Sequence, residues 1–259
     1  MEPESGELTY GRYLRIPELL ELQAPISQPM AHDELLFIVV HQSFELWFKQ
    51  VLFELETARD AIFEGKTFPA RHYLKRAQNI ERMLLEHIGI IESMSPQDFL
   101  QFRSYLEPAS GFQSVQFREI EFLSGMKEPG LMARLATAPE ERDRLERRLS
   151  EPSLWDALCA LLESNGLPMP PGEENAEVRR ASLLKMFRDK DAYPEMFYTA
   201  ESLLTHDELF CLWRQHHVLM VERQIGSKAG TGGTAGVGYL RTTLDKRFYP
   251  ELWELRSYL

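Results

Sequence analysis

Seven histidines are the side chains most able to do chemistry here, and two tests sort them. The first is metal-ligand spacing. No Glu lies three residues before any His, so the paired Glu-x-x-His motifs of a carboxylate-bridged di-iron bundle are absent. No two histidines are four apart, which excludes a His-Glu-x-x-His zinc helix. Cys159 and Cys211 lie too far apart in sequence to suggest a zinc cluster. The second test is periodicity. His41 shares a helical stripe with Phe37, Phe44 and Phe48, and His217 has Trp213, Met220 and Val221 at spacings of four and three. His216 stands about 100° around the helix from His217, so the two cannot serve one site. A lone histidine on an apolar face is ordinarily a satisfied core residue. Two of them on separate long helices also suit a haem, which needs an axial histidine and often a distal polar group.

Arg103 is the second chemical signal. Phe99, Arg103 and Leu106 fall on one helical face, so a guanidinium sits among apolar side chains. Such an arginine is either paired with a carboxylate of the protein or open to one from a ligand. The third signal is the glycine-rich stretch Gly226–Gly238. Gly230-Thr-Gly-Gly-Thr-Ala235 satisfies a relaxed dinucleotide fingerprint, but it follows a helix, not a strand. Only 23 residues follow Gly236, too few for a βαβ unit of about 30 residues. No Gly-Lys-Ser/Thr closes the run, so it is not a P-loop either. A flexible linker would favour Gly and Ser without the Lys, Thr and Val found here. What remains is a loop whose backbone approaches a ligand closely, with the Thr231 hydroxyl and the Lys228 charge at hand.

The elements that must position these groups read as helices. Residues 31–64 contain no Pro or Gly, and their apolar residues recur every three or four positions. This predicts one long amphipathic helix, with Asp33 and Glu34 in its favourable first turn and Gly65 as its stop. Pro69 opens a second long helix to about Ser93. Ser95 caps a third that runs to about Leu106, and a fourth covers roughly Ser114 to Leu123. Residues 126–190 are less regular. Pro139 starts a charged helix whose Arg142, Arg144, Arg147 and Arg148 read as a solvated face with i,i+4 pairs, not an anion site. Pro152 to Ser164 reads as another helix, residues 166–172 as a loop, and Leu204 to Gly226 as a long amphipathic helix. No stretch reads as a strand, so the expected class is all-α, a long-helix bundle.

Composition bounds the partners. The 259 residues are 44% hydrophobic and 27% charged, which suits a globular core in one large domain or two small ones. A net charge of −11 disfavours nucleic acid and anionic membranes, which need a basic face. The longest apolar run, Leu35–Val40, is far short of the roughly 18–20 residues of a membrane span. Met1-Glu2-Pro3-Glu4 is acidic and shows no secretory signal, and the two cysteines read as free thiols of a cytoplasmic protein.

Taken together, the segments resemble the tryptophan 2,3-dioxygenase family over nearly the whole chain. The carriers are Leu8-Thr-Tyr-Gly-Arg-Tyr-Leu14, residues 32–42, Glu45-Leu-Trp-Phe-Lys49, Phe102-Arg103, residues 108–114, Trp213-Arg-x-x-His-Val218 and residues 226–233. Several long motifs in the family's order make the resemblance specific. It implies a b-type haem enclosed by the helices, O2 as co-substrate, L-tryptophan as substrate and N-formylkynurenine as product. It implies His217 as the proximal haem ligand with Trp213 beside it, and His41 as the distal histidine that orients the indole N–H. It implies Arg103 on the substrate carboxylate, Thr231 on carboxylate and ammonium, and Phe37 and Phe99 as indole walls with Leu106 nearby. Ser110 and Gly111 match the loop beside the distal haem face. Tyr10 and Tyr13 match an N-terminal arm, residues 1–16, that reaches a neighbouring subunit's site in a homotetramer. The family varies widely over residues 126–190, and nothing is carried over there. Site residues from Tyr10 to Thr231 favour one domain over the whole chain. Two departures are mild: Thr234-Ala235 replaces a hydroxyl-richer pair in the glycine loop, and Ser43-Phe44 follows the distal histidine. They keep one alternative in view, a haem monooxygenase of the same superfamily that makes a 2-oxindole from tryptophan or a substituted tryptophan. A further alternative, from another class, is a non-catalytic haem sensor, which would keep His217 but has no need of Arg103, Thr231, Phe37 and His41 together.

Overall fold

The computed structural model describes residues 7–132, 138–233 and 235–259. The acidic Met1–Glu4 reading and the Thr234 departure lie outside these. Among the described residues every regular element is a helix, as expected for an all-α chain. Two short helices, α1 (Tyr10–Leu14) and α2 (Ile16–Leu20), form an N-terminal arm with no buried residue. Then come α3 (His32–Phe63), α4 (Thr67–Glu92), α5 (Pro96–Phe102) and α6 (Val115–Ser124). The insert holds α7 (Pro139–Ser150), α8 (Leu154–Ser164) and α9 (Ala176–Arg188). The chain closes with α10 (Pro194–Ile225), α11 (Val237–Arg241) and α12 (Pro250–Glu254).

The three long helices α3, α4 and α10 pack side by side, with α6 and α8 crossing α3. Their contact stripes repeat every three or four residues. Val51, Leu55, Ala58 and Ile62 of α3 meet Ala70, Leu74 and Ala77 of α4, and Met196, Ala200, Leu203 and Phe210 of α10 join the same core. Alanines at these positions let the helix axes approach closely.

Several sequence expectations shift. The second long helix starts at Thr67, two residues before Pro69, which sits in its first turn where a proline costs no hydrogen bond. The last long helix starts at Pro194, ten residues before Leu204, and one stripe of its first three turns, Met196, Ala200 and Leu203, packs in the core. The helix capped by Ser95 ends as α-helix at Phe102 and tightens into a 3₁₀ turn, Arg103–Leu106. The charged face of α7 is only partly solvated. Arg142 and Glu146 form the expected exposed i,i+4 pair at 2.8 Å. Arg144 and Arg148, however, converge on Glu119 of α6, which is 1% exposed, and Arg148 also reaches Glu56 and Glu151. A buried carboxylate requires counter-charges, so this arginine face turns inward.

Two more buried carboxylates fasten the ends of the fold. Glu34 accepts from the backbone N–H groups of Ile26 (2.7 Å) and Ser27 (3.0 Å), tying the segment before α3 to its first turn. Asp207 accepts from the backbone of Phe248 and Tyr249 and from Trp253 Nε1, at 2.9 to 3.0 Å, and so holds the C-terminal segment against α10.

Candidate functional site

A cavity of about 310 Å³ is lined by the N-terminal half of α3 and the C-terminal half of α10, the upper level of the fold. It is lined by Phe37, His41, Phe44, Glu45 and Phe48 of α3, by Phe99 of α5, by Trp213, His217 and Val221 of α10, and by Arg103, Ser110, Gly111, Gly230 and Thr231 from the connecting segments. Its size falls in the range of small-molecule sites. Periodicity explains which helical residues line it: 37, 41, 44 and 48 are one stripe of α3, and 213, 217 and 221 one stripe of α10.

His217 stands in this cavity with no hydrogen bond to any described residue. Trp213 stacks on its ring, with centroids 4.8 Å apart and planes 14° from parallel. Loss of solvation pushes its pKa down to about 4, and His41 across the cavity adds to this, so the imidazole is neutral. The indole Nε1 of Trp213 is also buried without an acceptor among the described residues.

His41 is differently held. Its Nδ1 lies 2.7 Å from the carbonyl oxygen of Phe37. A carbonyl can only accept, so Nδ1 carries the proton and Nε2 keeps its lone pair for the cavity. Burial among protein atoms lowers the pKa of His41, against the opposing pull of that carbonyl and of Glu45. It too is neutral near pH 7.

The open question about Arg103 now has an answer. Among the described residues no carboxylate lies within ion-pair distance of it; its guanidinium donates only to the carbonyl of Ala229 in the glycine loop. Beside it Phe37 and Phe99 stack at 5.8 Å, with Phe102 edge-on to both. Thr231 donates to the carbonyl of Ala109 at 2.6 Å, which leaves its oxygen lone pairs free to accept. Ser110 caps the turn Gly111–Gln113, and a Cβ on Gly232 would come within 2.6 Å of Ser110 Cβ. Glycine is therefore needed where the two loops touch.

Twelve residues were singled out from the sequence, and nine of them line the cavity: Phe37, His41, Phe99, Arg103, Ser110, Gly111, Trp213, His217 and Thr231. Three do not. Leu106, at the end of the 3₁₀ turn, packs in the cluster of Phe37, Phe99 and Phe102 and not on the cavity lining. Tyr10 and Tyr13, 78% and 72% exposed, lie outside their own chain's cavity. The sequence reading overlooked Glu45, Arg118, Glu121 and Arg214, which also line it. Glu45 follows His41 by one helical turn, a signal that was available.

The profile of the tryptophan 2,3-dioxygenase family matches residues 1–170 and 172–259. The chain belongs to the tryptophan 2,3-dioxygenase family. It is 52% identical to the tryptophan 2,3-dioxygenase of Nocardioides sp., over 99% of this chain and 96% of that protein. Those of Herpetosiphon aurantiacus and Caulobacter vibrioides are 43% and 41% identical, each over 98% of this chain and 99% of the relative.

The cavity can be tested for the haem that tryptophan 2,3-dioxygenases of this family imply. Among the described residues no three potential metal ligands gather anywhere. A neutral imidazole without a hydrogen bond, in a cavity also lined by Phe44, Phe48, Phe117 and Trp213, suits a metal that brings its own ring of ligands and a large apolar face. The residues present fit the group. Among the described residues no helix is long and apolar enough to cross a membrane.

Proposed function

We propose that this chain is a haem-dependent tryptophan 2,3-dioxygenase that adds both atoms of O2 across the indole C2–C3 bond of L-tryptophan and gives N-formylkynurenine. The observation that carries this reading is Arg103: a guanidinium without a carboxylate of its own among the described residues, lining one cavity with two stacked aromatic rings and two neutral histidines. An amino acid with an indole side chain meets each of these groups with its complement.

His217 would hold the haem iron, with Trp213 stacked against its ring. A ferrous haem held there supplies dioxygen activation. The protein's own residues orient the substrate. Arg103 takes the carboxylate by two parallel N–H donors, and Thr231 accepts from the ammonium with the lone pairs that Ala109 leaves free. Phe37 and Phe99 hold the indole plane. His41 accepts the indole N–H at Nε2, because Nδ1 is committed to Phe37. His41 thus orients the indole within the cavity and is not an obligatory base. Ser110 and Gly111 close the cavity beside the glycine loop and exclude water.

On the same reading the whole chain works as one domain, in the cytoplasm, and as a homotetramer. The exposed Tyr10 and Tyr13 of the arm support the tetramer, since residues that reach a neighbour's site must stand clear of their own. The test is isotopic. Haem-loaded protein turning over L-tryptophan under labelled O2 should yield N-formylkynurenine carrying two labelled atoms. A 2-oxindole with one labelled atom would assign a monooxygenase. A haem spectrum indifferent to tryptophan, without product, would assign a sensor.

A further inference from the structure

One polar side chain on an apolar stretch of the cavity lining has no task in the reading above. Gln224, in the last turn of α10, is 7% exposed and lines the cavity with Met220, Val221 and Ile225 of its own helix. Its Nε2 donates to the carbonyl of Met94 at 2.8 Å and reaches that of Ile91 at 3.5 Å. A carbonyl can only accept, so these two fix which end of the amide is nitrogen. The amide oxygen is thereby turned from the end of α4, and Oε1 is buried with no donor among the described residues. An unpaired acceptor in an apolar lining is destabilising, and it calls for a donor on whatever fills the cavity.

The connections of Gln224 put it at the Arg103 end. Met94, its main partner, lies on the lead into α5, five residues before Phe99 and nine before Arg103. On its own chain Gln224 stands two residues before Gly226, where the loop that carries Ala229 and Thr231 begins. Arg103 is bonded to that loop through the Ala229 carbonyl. The end of α10, the loop and the segment that carries Arg103 therefore meet around this amide.

Of the molecules read into the cavity, one has donors to spare. The edge of a haem presents methyl, vinyl and ionised carboxylate groups, none of which donates. The indole N–H goes to His41. The substrate ammonium has three N–H donors, as a lysine head group does, and Thr231 takes one. We infer that Gln224 Oε1 accepts a second N–H of the substrate ammonium and so makes the site selective for an indole amino acid over its des-amino analogue. This rests on the substrate reading above. Arg103 alone would hold any indole carboxylic acid, whereas an amide oxygen at the α-amino group rewards only the zwitterion.

The test is ligand binding to the haem-loaded full-length protein, followed through the Soret band. L-Tryptophan is compared with indole-3-propionate, which keeps the indole and the carboxylate and lacks the ammonium. In Gln224→Met the Kd of L-tryptophan should rise about tenfold, the scale of one hydrogen bond to a charged group, while that of indole-3-propionate stays within about twofold. Gln224→Lys still offers a donor to Met94 and Ile91 but sets a like charge beside the ammonium. It should weaken L-tryptophan further and leave indole-3-propionate at least as tightly bound, and it decides the question if the methionine variant fails to fold. Equal weakening of both ligands would overturn the assignment and make Gln224 a clamp between α4 and α10. So would unchanged affinities in both variants, which would give Oε1 to a buried water. Wild-type protein that takes up haem yet binds neither ligand would instead sink the substrate reading itself.

Discussion

Two histidines on one helix show how this molecule divides structure from chemistry. His206 and His217 lie three turns apart on α10, each with aromatic neighbours at helical spacing. His206 is fully buried and satisfied at both nitrogens: Nδ1 is 2.6 Å from Glu81 of α4, and Nε2 is 2.9 Å from Ser124 of α6. Ser124 donates its own proton to the carbonyl of Ile120, so it accepts from the imidazole. The result is a cross-brace that joins three helices below the cavity. His217 has neither partner and faces open space. The difference lies in what the neighbouring helices offer at each level, not in the histidines or their flanks.

Substitution should separate the two levels, and the largest effect belongs to the upper one. His217→Ala removes the proposed axial ligand and should abolish stable haem uptake and turnover, while the thermal midpoint of the haem-free protein stays within about 2 °C of the wild type, since no hydrogen bond is broken. The check is a Soret titration alongside a melting curve. Full haem binding by this variant would move the ligand elsewhere. Arg103→Ala comes next. Loss of a paired, charge-assisted contact to the substrate should lower kcat/KM about 10²-fold or more, near 3 kcal/mol, with haem affinity unchanged. Unaltered steady-state kinetics would remove Arg103 from the site.

His206→Ala should show the reverse pattern. It strands the buried Glu81 and Ser124 and opens a void, at a cost of about 2–4 kcal/mol, or roughly 5–15 °C in midpoint for a chain of this size. Haem uptake per folded molecule should not change. A variant as stable as the wild type would mean that the brace contributes nothing.

The same pair shows how far the amino-acid sequence could be read. Helix punctuation by Pro, Gly and Ser95, and the three-four stripes, revealed the long helices and the residues that face the cavity. Stripe position alone did not separate His206 from His217. Leu203, Leu209 and Phe210 flank His206 as suggestively as Trp213 and Val221 flank His217, yet His206 passed unnoticed. The deciding partners, Glu81 and Ser124, are more than eighty residues away along the chain. Long-range partners also explain the misread arginine face of α7, since Glu119 and Glu56 lie on other helices. The overlooked Arg118 has the same cause: that its Nε is buried without an acceptor is a property of the packed structure. Local pattern specifies the element and its buried face, whereas satisfaction of a buried polar group depends on what the fold brings opposite it.

The smallest expected effect tests how finely the upper level is held. Thr231 and Arg103 are both fastened through the glycine loop, by Ala109 and Ala229. Gly232 lies against Ser110, and a methyl group there would sit 2.6 Å from Ser110 Cβ. A Cβ cannot rotate away, so in Gly232→Ala one loop must shift by several tenths of an ångström. The displacement falls on the ammonium contact and leaves His217, on its rigid helix, in place. KM for tryptophan should rise about threefold to tenfold, with kcat reduced less and the haem spectrum unchanged. Ser110→Gly in the same chain removes the obstructing Cβ and should restore much of the loss. If the double variant were no better than Gly232→Ala alone, the contact between these two loops would not be what places Thr231.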